Sequence, residues 1–123
     1  MARPNPVGWF EIYVQDMDRA RKFYETTLEV SLQRLPGPDI EMWAFDMDPA
    51  ATGASGALVK VPGMSSGGST LVYFTCEDCA TEGGRVAAAG GKVHRDKMSI
   101  GQYGFIVLAI DTEGNMFGLH SMK

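Results

Sequence analysis

Two stretches of the chain share one order of apolar and polar positions. Residues 9–14, Trp-Phe-Glu-Ile-Tyr-Val, alternate as a strand does when its successive side chains point to opposite faces. Gln15-Asp16 follows, and then Met17, Ala20, Phe23, Tyr24 and Leu28 recur at helical spacing. At an offset of 62 residues the pattern returns: Leu71 to Cys76 reads as a strand, and Glu77-Asp78 opens a second helix expected to run to about Ala89 and stop at Gly90-Gly91. Asp16 and Asp78 fall in register as N-caps, where a short acceptor side chain satisfies free helix amides.

The same offset carries the strand around Met42–Met47 to the region of Gly104–Leu108, and Gly56–Val61 onto Gly118–Lys123. Two βαβββ modules are therefore expected, an α+β fold, over about 6–61 and 70–122, joined by a Gly/Ser-rich linker at 62–69. Alternation assigns Phe10, Ile12 and Val14, and Val72, Phe74 and Cys76, to the helix-covered faces. The opposite faces then carry Trp9, Glu11 and Tyr13, with Leu71, Tyr73 and Thr75. Gly56, Leu58 and Lys60 are placed at the same parity as Gly118 and His120. This mixture of aromatic, charged and small side chains suits a partly enclosed cavity for a small molecule.

Composition narrows the classes. The chain has 123 residues, enough for one domain with its own core, and 45% hydrophobic with 21% charged residues is ordinary for a globular protein. Its longest clear apolar run, Phe105–Ile110, is far below the ~20 residues of a membrane-spanning helix. No membrane partner is expected. Eleven basic against fifteen acidic residues leave a net charge of −4 without a basic cluster, so no nucleic acid is expected either. The opening Met-Ala-Arg-Pro-Asn-Pro lacks the apolar core of a secretory signal and there are two cysteines, which points to a reducing cytoplasm.

Three pieces, Val14 to Tyr24, Ala87 to Val93 and Asp111 to Ser121, resemble the vicinal oxygen chelate superfamily of glyoxalases, bleomycin-resistance proteins and extradiol dioxygenases. The resemblance implies modules whose curved sheets form a U-shaped cleft, within one chain or across a homodimer. Metal-dependent members of that family set His or Glu ligands at positions that fall here near Trp9, near Gly56 or Leu58, at Leu71 and at Gly118. None of these is a donor for a divalent ion, so no metal and no other cofactor is expected.

What remains polar is Glu11 and His120, each one strand step further along. They are candidates for a general acid–base pair, or for groups that orient a ligand held by Trp9, Tyr13, Leu58, Lys60, Leu71, Tyr73 and Gly118. The resemblance thus implies two functions. One is a bleomycin-resistance-like binding protein for an unidentified small molecule. The other is a glyoxalase-like lyase or isomerase using Glu11 and His120, metal-free or with an atypical metal site. Cys76-Glu77-Asp78-Cys79 has the spacing of a thiol redox motif, but its two acidic residues oppose thiolate formation, and both cysteines are assigned to core packing. Gly53-Ala54-Ser55-Gly56 and Gly67-Gly68 fit no phosphate loop and read as turns, Gly83-Gly84 inside the second helix points to a close approach of helix to sheet, and His94 belongs to a solvated strand or loop.

Overall fold

The computed structural model describes residues 4–37, 40–63 and 70–123. Two compact units divide the chain: Trp9–Thr70, and Leu71–Lys123 together with Met1–Gly8. The N-terminal residues join the later unit because the Thr75 amide donates to the Pro6 carbonyl at 2.9 Å. Of the expected linker, Pro62 and Gly63 form a turn, and 64–69 lie outside the described residues.

The first module runs β1 (Val7–Tyr13), α1 (Met17–Leu28), β2 (Gln33–Leu35), β3 (Glu41–Ala44) and β4 (Ser55–Lys60). Its strands lie in the order β2-β3-β4-β1, with β1 and β4 parallel and the other pairs antiparallel. The second runs β5 (Thr70–Thr75), α2 (Cys79–Gly83), β6 (Lys92–Ser99), β7 (Phe105–Ile110) and β8 (Met116–Ser121), in the order β5-β8-β7-β6 with β5 and β8 parallel. The α+β pattern of two βαβββ modules is thus the observed one. Among the described residues, no helix is long and apolar enough to cross a membrane.

Both helices begin where the caps predict. Asp16 accepts from the Arg19 amide and Asp78 from the Ala80 amide, each at 3.0 Å. Asp78 also takes an ion pair from Lys97 at 2.9 Å, and that hydrogen bond holds its carboxyl below the usual range. α1 buries Met17 and rests Ala20 and Tyr24 on a core of Val14, Leu32 and Leu58, whereas Phe23 and Leu28 point outward at 59% and 53% exposure. The apolar spacing of α1 is therefore wider than the stripe it buries.

The second helix is shorter than its pattern promises, ending at Gly83 with turns through Gly90 instead of running to Ala89. Two consecutive glycines, each costing about 1 kcal/mol in a helix interior relative to alanine, stop it. Gly83 earns its place by contact: a Cβ there would stand 3.3 Å from both Val107 methyls, so the bare backbone lets α2 lie close on β7. Around this contact Cys76, Cys79, Val107 and Leu119 form the core of the second unit, as the packing role of both cysteines required.

Two outcomes follow for stability. Leu58 is fully buried against Val14, Met17 and Leu32, so Leu58→Ala should lower unfolding free energy by about 2–5 kcal/mol in a denaturant titration. Burial first, and the neighbouring Glu82 carboxylate second, push the Cys76 thiol up from 9.0 to about 11. The folded state then holds this proton more tightly than the unfolded chain does. Its stabilisation is complete below about pH 9 and is lost as pH rises toward 11. The thermal midpoint should fall across that window, and Cys76→Ala should delay the onset of the fall.

Candidate functional site

Each sheet has one face under its helix and one that its own helix leaves uncovered. In the first unit β1 pairs Phe10 with Gly56 and Ile12 with Leu58, while Trp9, Glu11 and Tyr13 lie beside Ser55, Ala57 and Val59. Paired residues share a face, so the uncovered side carries Trp9, Glu11, Tyr13, Ala57 and Val59, with Met42 and Ala44 from β3 and Leu35 from β2. Ala44, Ala57 and Val59 are buried there, with Trp9, Tyr13, Leu35 and Met42 packed against them.

This register corrects two expected ligand contacts. Leu58 lies in the α1 core, and Lys60 lies opposite Glu41 on the same covered side, exposed at the strand's end. The reason is a single residue. Tyr73 is the 62-residue counterpart of Glu11, yet Tyr73 pairs with Gly118 and Glu11 with Ala57, so β8 and β4 correspond at an offset of 61. A one-residue shift moves every side chain of a strand to the other face. The true counterparts of Gly118 and His120 are Ala57 and Val59.

On the uncovered face of β1 three candidate residues form one hydrogen-bonded group. Trp9 Nε1 donates to Glu11 Oε2 and the Tyr13 hydroxyl donates to Glu11 Oε1, each at 3.2 Å. Both bonds span two residues of the strand, so alternation alone brings the partners to one side. Burial, with the Glu11 charge adding to it, pushes the Tyr13 phenol well above 10.0, which keeps it a proton donor toward the carboxylate. The other indole is placed differently: Trp43 lies on the covered side, under the Arg21 guanidinium at 3.5 Å, and donates to Glu41 at 3.0 Å.

In the second unit Tyr73 lies beside Gly118 and Thr75 beside His120, on the face away from α2, and Leu71 shares that parity and is buried. His120 Nε2 reaches the Tyr103 carbonyl at 2.5 Å. A carbonyl only accepts, so Nε2 carries a hydrogen and donates it, leaving Nδ1 as the ring nitrogen not engaged in this bond. Ile106 and Leu108 pair with His120 and Gly118 and complete the same face. Strand alternation could have found them once the register of β7 on β8 was fixed. Trp9, Glu11 and Tyr13 are thus brought together in one unit, and Leu71, Tyr73, Gly118 and His120 stand on one face of the other.

The glyoxalase/bleomycin resistance protein/dioxygenase superfamily description matches residues 7–119. The chain belongs to this superfamily. No curated protein matches it. Among solved structures it is similar to a methylmalonyl-CoA epimerase variant from Streptomyces coelicolor in complex with 2-nitronate-propionyl-CoA, at 13% identity over 95% of this chain and 96% of that one, TM-score 0.68. The methylmalonyl-CoA epimerase of Mycobacterium tuberculosis is 16% identical over 96% and 88% of the chains, TM-score 0.71. A hypothetical protein from Bacillus halodurans C-125 is 12% identical over 98% and 96%, TM-score 0.75. Likeness at this level of identity concerns the fold.

Superfamily membership raises the question of a metal, and the residues here do not fit one. Trp9 and Leu71 offer no donor suited to a hard or borderline divalent ion, and the corrected register puts Ala57 at the position first read as Gly56 or Leu58. Gly118 is closed in another way: a Cβ there would overlap the Tyr73 ring, so the position has no room for a ligating side chain while Tyr73 stays in place. Among the described residues no group of three or more His, Cys, Asp or Glu side chains could hold a metal ion.

A metal that bound the folded state would raise its thermal midpoint. Metal-stripped protein titrated with Ni, Zn, Mn, Fe(II) or Mg should therefore show no saturable rise; such a rise would place a site outside these positions.

Proposed function

We propose that this superfamily member binds a small organic molecule on the uncovered sheet face bearing Trp9, Glu11 and Tyr13, with Leu71, Tyr73 and Gly118 forming the equivalent face of the other module. It works in the cytoplasm as a homodimer, as family kinship implies, and without a metal of its own. One observation carries the reading. A carboxylate is set among apolar side chains with both oxygens accepting hydrogen bonds, from an indole and from a phenol. Ionised groups are costly to desolvate unless hydrogen-bonded. An arrangement that meets this cost on a sheet face not covered by its own helix is what a ligand-orienting anchor requires.

A second reading keeps Glu11 and His120 as the acid–base pair of a lyase or isomerase. In its favour stands the tautomer of His120, whose Nδ1 can take a proton while the Tyr103 carbonyl fixes Nε2. Against it, both Glu11 oxygens already accept hydrogen bonds from neighbours on their own strand, which suits a fixed charge better than a base that must receive a proton.

A thermal-shift screen of small organic compounds should yield ligands that raise the midpoint of the wild-type protein. Trp9→Ala should weaken them by about tenfold or more, since a buried aromatic contact is worth ~1–2 kcal/mol with its area. Unchanged affinity in Trp9→Ala would overturn the site. Should turnover accompany binding, Glu11→Gln separates the two readings: loss of turnover with binding retained assigns proton transfer to Glu11, and equal turnover excludes it.

A further inference from the structure

A cavity of about 350 Å³ opens on the α2 side of the second unit, at the low end of the range that takes small organic ligands. The chain that follows α2 is held against β7 at two places. Gly83 sits close on Val107 at one of them; at the other, a Cβ on Gly91 would stand 2.6 Å from the Ile110 carbonyl oxygen, so bare backbone meets the strand. Val86 and Ala89 come from the turns between these two contacts, Phe117 and Leu119 come from β8, and the four give the cavity apolar walls. Phe117 and Leu119 flank Gly118 and therefore point to the opposite side of β8 from the face proposed above for binding.

Two opposite charges line this cavity without meeting. Glu82 and Arg85 rise from one turn, in which the Arg85 amide donates to the Glu82 carbonyl at 3.0 Å. Side chains three residues apart on a helical turn stand about 5–6 Å apart at Cβ, close enough to pair. Among the described residues, neither forms an ion pair. Glu82 Oε1 is shut away from solvent and accepts no hydrogen bond. The Cys76 thiol beside this carboxylate, pushed up to about 11 by burial and then by Glu82 itself, is neutral and brings no compensating charge. Arg85 is exposed. The third charged group of the lining, Asp111, is taken up by its own loop, accepting from the Glu113 and Asn115 amides at 2.8 and 2.9 Å and from Asn115 Nδ2 at 3.2 Å.

We infer that this cavity binds an apolar α-amino acid, with its ammonium at Glu82, its carboxylate at Arg85 and its side chain against Val86, Ala89, Phe117 and Leu119. An α-amino acid carries its two charges on neighbouring atoms, which matches two opposite side chains raised from one turn. An amine alone leaves Arg85 unanswered, a carboxylate alone brings a second negative group toward Glu82, and a neutral molecule answers neither. The inference is independent of the binding face that carries Trp9.

L-Leucine, L-methionine and L-phenylalanine are the probes, titrated by calorimetry into the full chain. At least one should bind saturably and about tenfold or more tighter than its decarboxylated amine or its deaminated acid, the loss that follows when a hydrogen bond to a charged group is removed. Glycine, which has the charges without the apolar body, should bind far more weakly. Arg85→Gln should bring the amino acid down to the affinity of its amine, and Glu82→Gln to that of its acid. Ala89→Leu fills the cavity without altering either charge and should abolish binding, whereas Trp9→Ala, in the first unit, should leave it unchanged. An amine or acid that binds as tightly as the amino acid overturns the zwitterionic class, as does failure of all three amino acids to bind. Amino-acid binding that survives Ala89→Leu in folded protein, or that Trp9→Ala removes, overturns the site. Organic ligands from the screen above that ignore Trp9→Ala overturn the uncovered face and leave this cavity standing. Circular dichroism and thermal midpoints show which variants fold, and Arg85→Gln, at an exposed side chain, decides the matter should Ala89→Leu not fold.

Discussion

Parallel pairing of β1 with β4 places Glu11 beside Ala57 and Ile12 beside Leu58, and the rest of the first unit follows from that register. Side chains alternate along a strand, so one pairing decides both what α1 buries and what the uncovered face presents. Ile12, Val14 and Leu58 go to the helix; Trp9, Glu11 and Tyr13 go to the other side. The two sets cannot be chosen separately. A slip of one residue would put Glu11 and Leu58 on one face, either sending the carboxylate into the α1 core or taking Leu58 out of it, and each outcome is unfavourable.

Glu11 is the costly member of this arrangement. A carboxylate on the same half-buried face as Ala57, Val59 and Met42 loses part of its water, and the two donors on its own strand replace part of that hydration. Tyr13 is bound into the same exchange, because the burial and charge that surround its phenol hold the proton in place and keep the hydroxyl donating. The group is thereby held in one arrangement by its own strand, so under the proposed binding reading less ordering would remain to be done on binding.

Much of this was legible from alternation and capping. Asp16 and Asp78 are N-caps, Phe74 and Cys76 pack under α2, and the face shared by Trp9, Glu11 and Tyr13 follows from their spacing alone. What the sequence hid was non-local. The offset of 62 that relates β1 to β5 becomes 61 between β4 and β8, and no pattern within either strand records the difference. Leu58 and Lys60 were misplaced for that reason. The early end of α2 is marked by Gly83-Gly84, whereas the expected helix runs on to the later pair Gly90-Gly91; the close seat on Val107 shows why the first glycine belongs there. His120's partner, the Tyr103 carbonyl, lies 17 residues away in a short turn that no side-chain pattern marks.

Gly118 and Tyr73 occupy one volume between them. A side chain at 118 able to ligate and a large ring at 73 exclude each other, so the two positions form a two-state choice between a coordinating wall and an aromatic one. Moving from one state to the other takes two substitutions. Made singly, a larger residue at 118 collides with the ring, and a smaller one at 73 leaves a void with no ligand to fill it. Each single change is expected to cost stability, so positions 73 and 118 are coupled and neither is exchanged independently of the other.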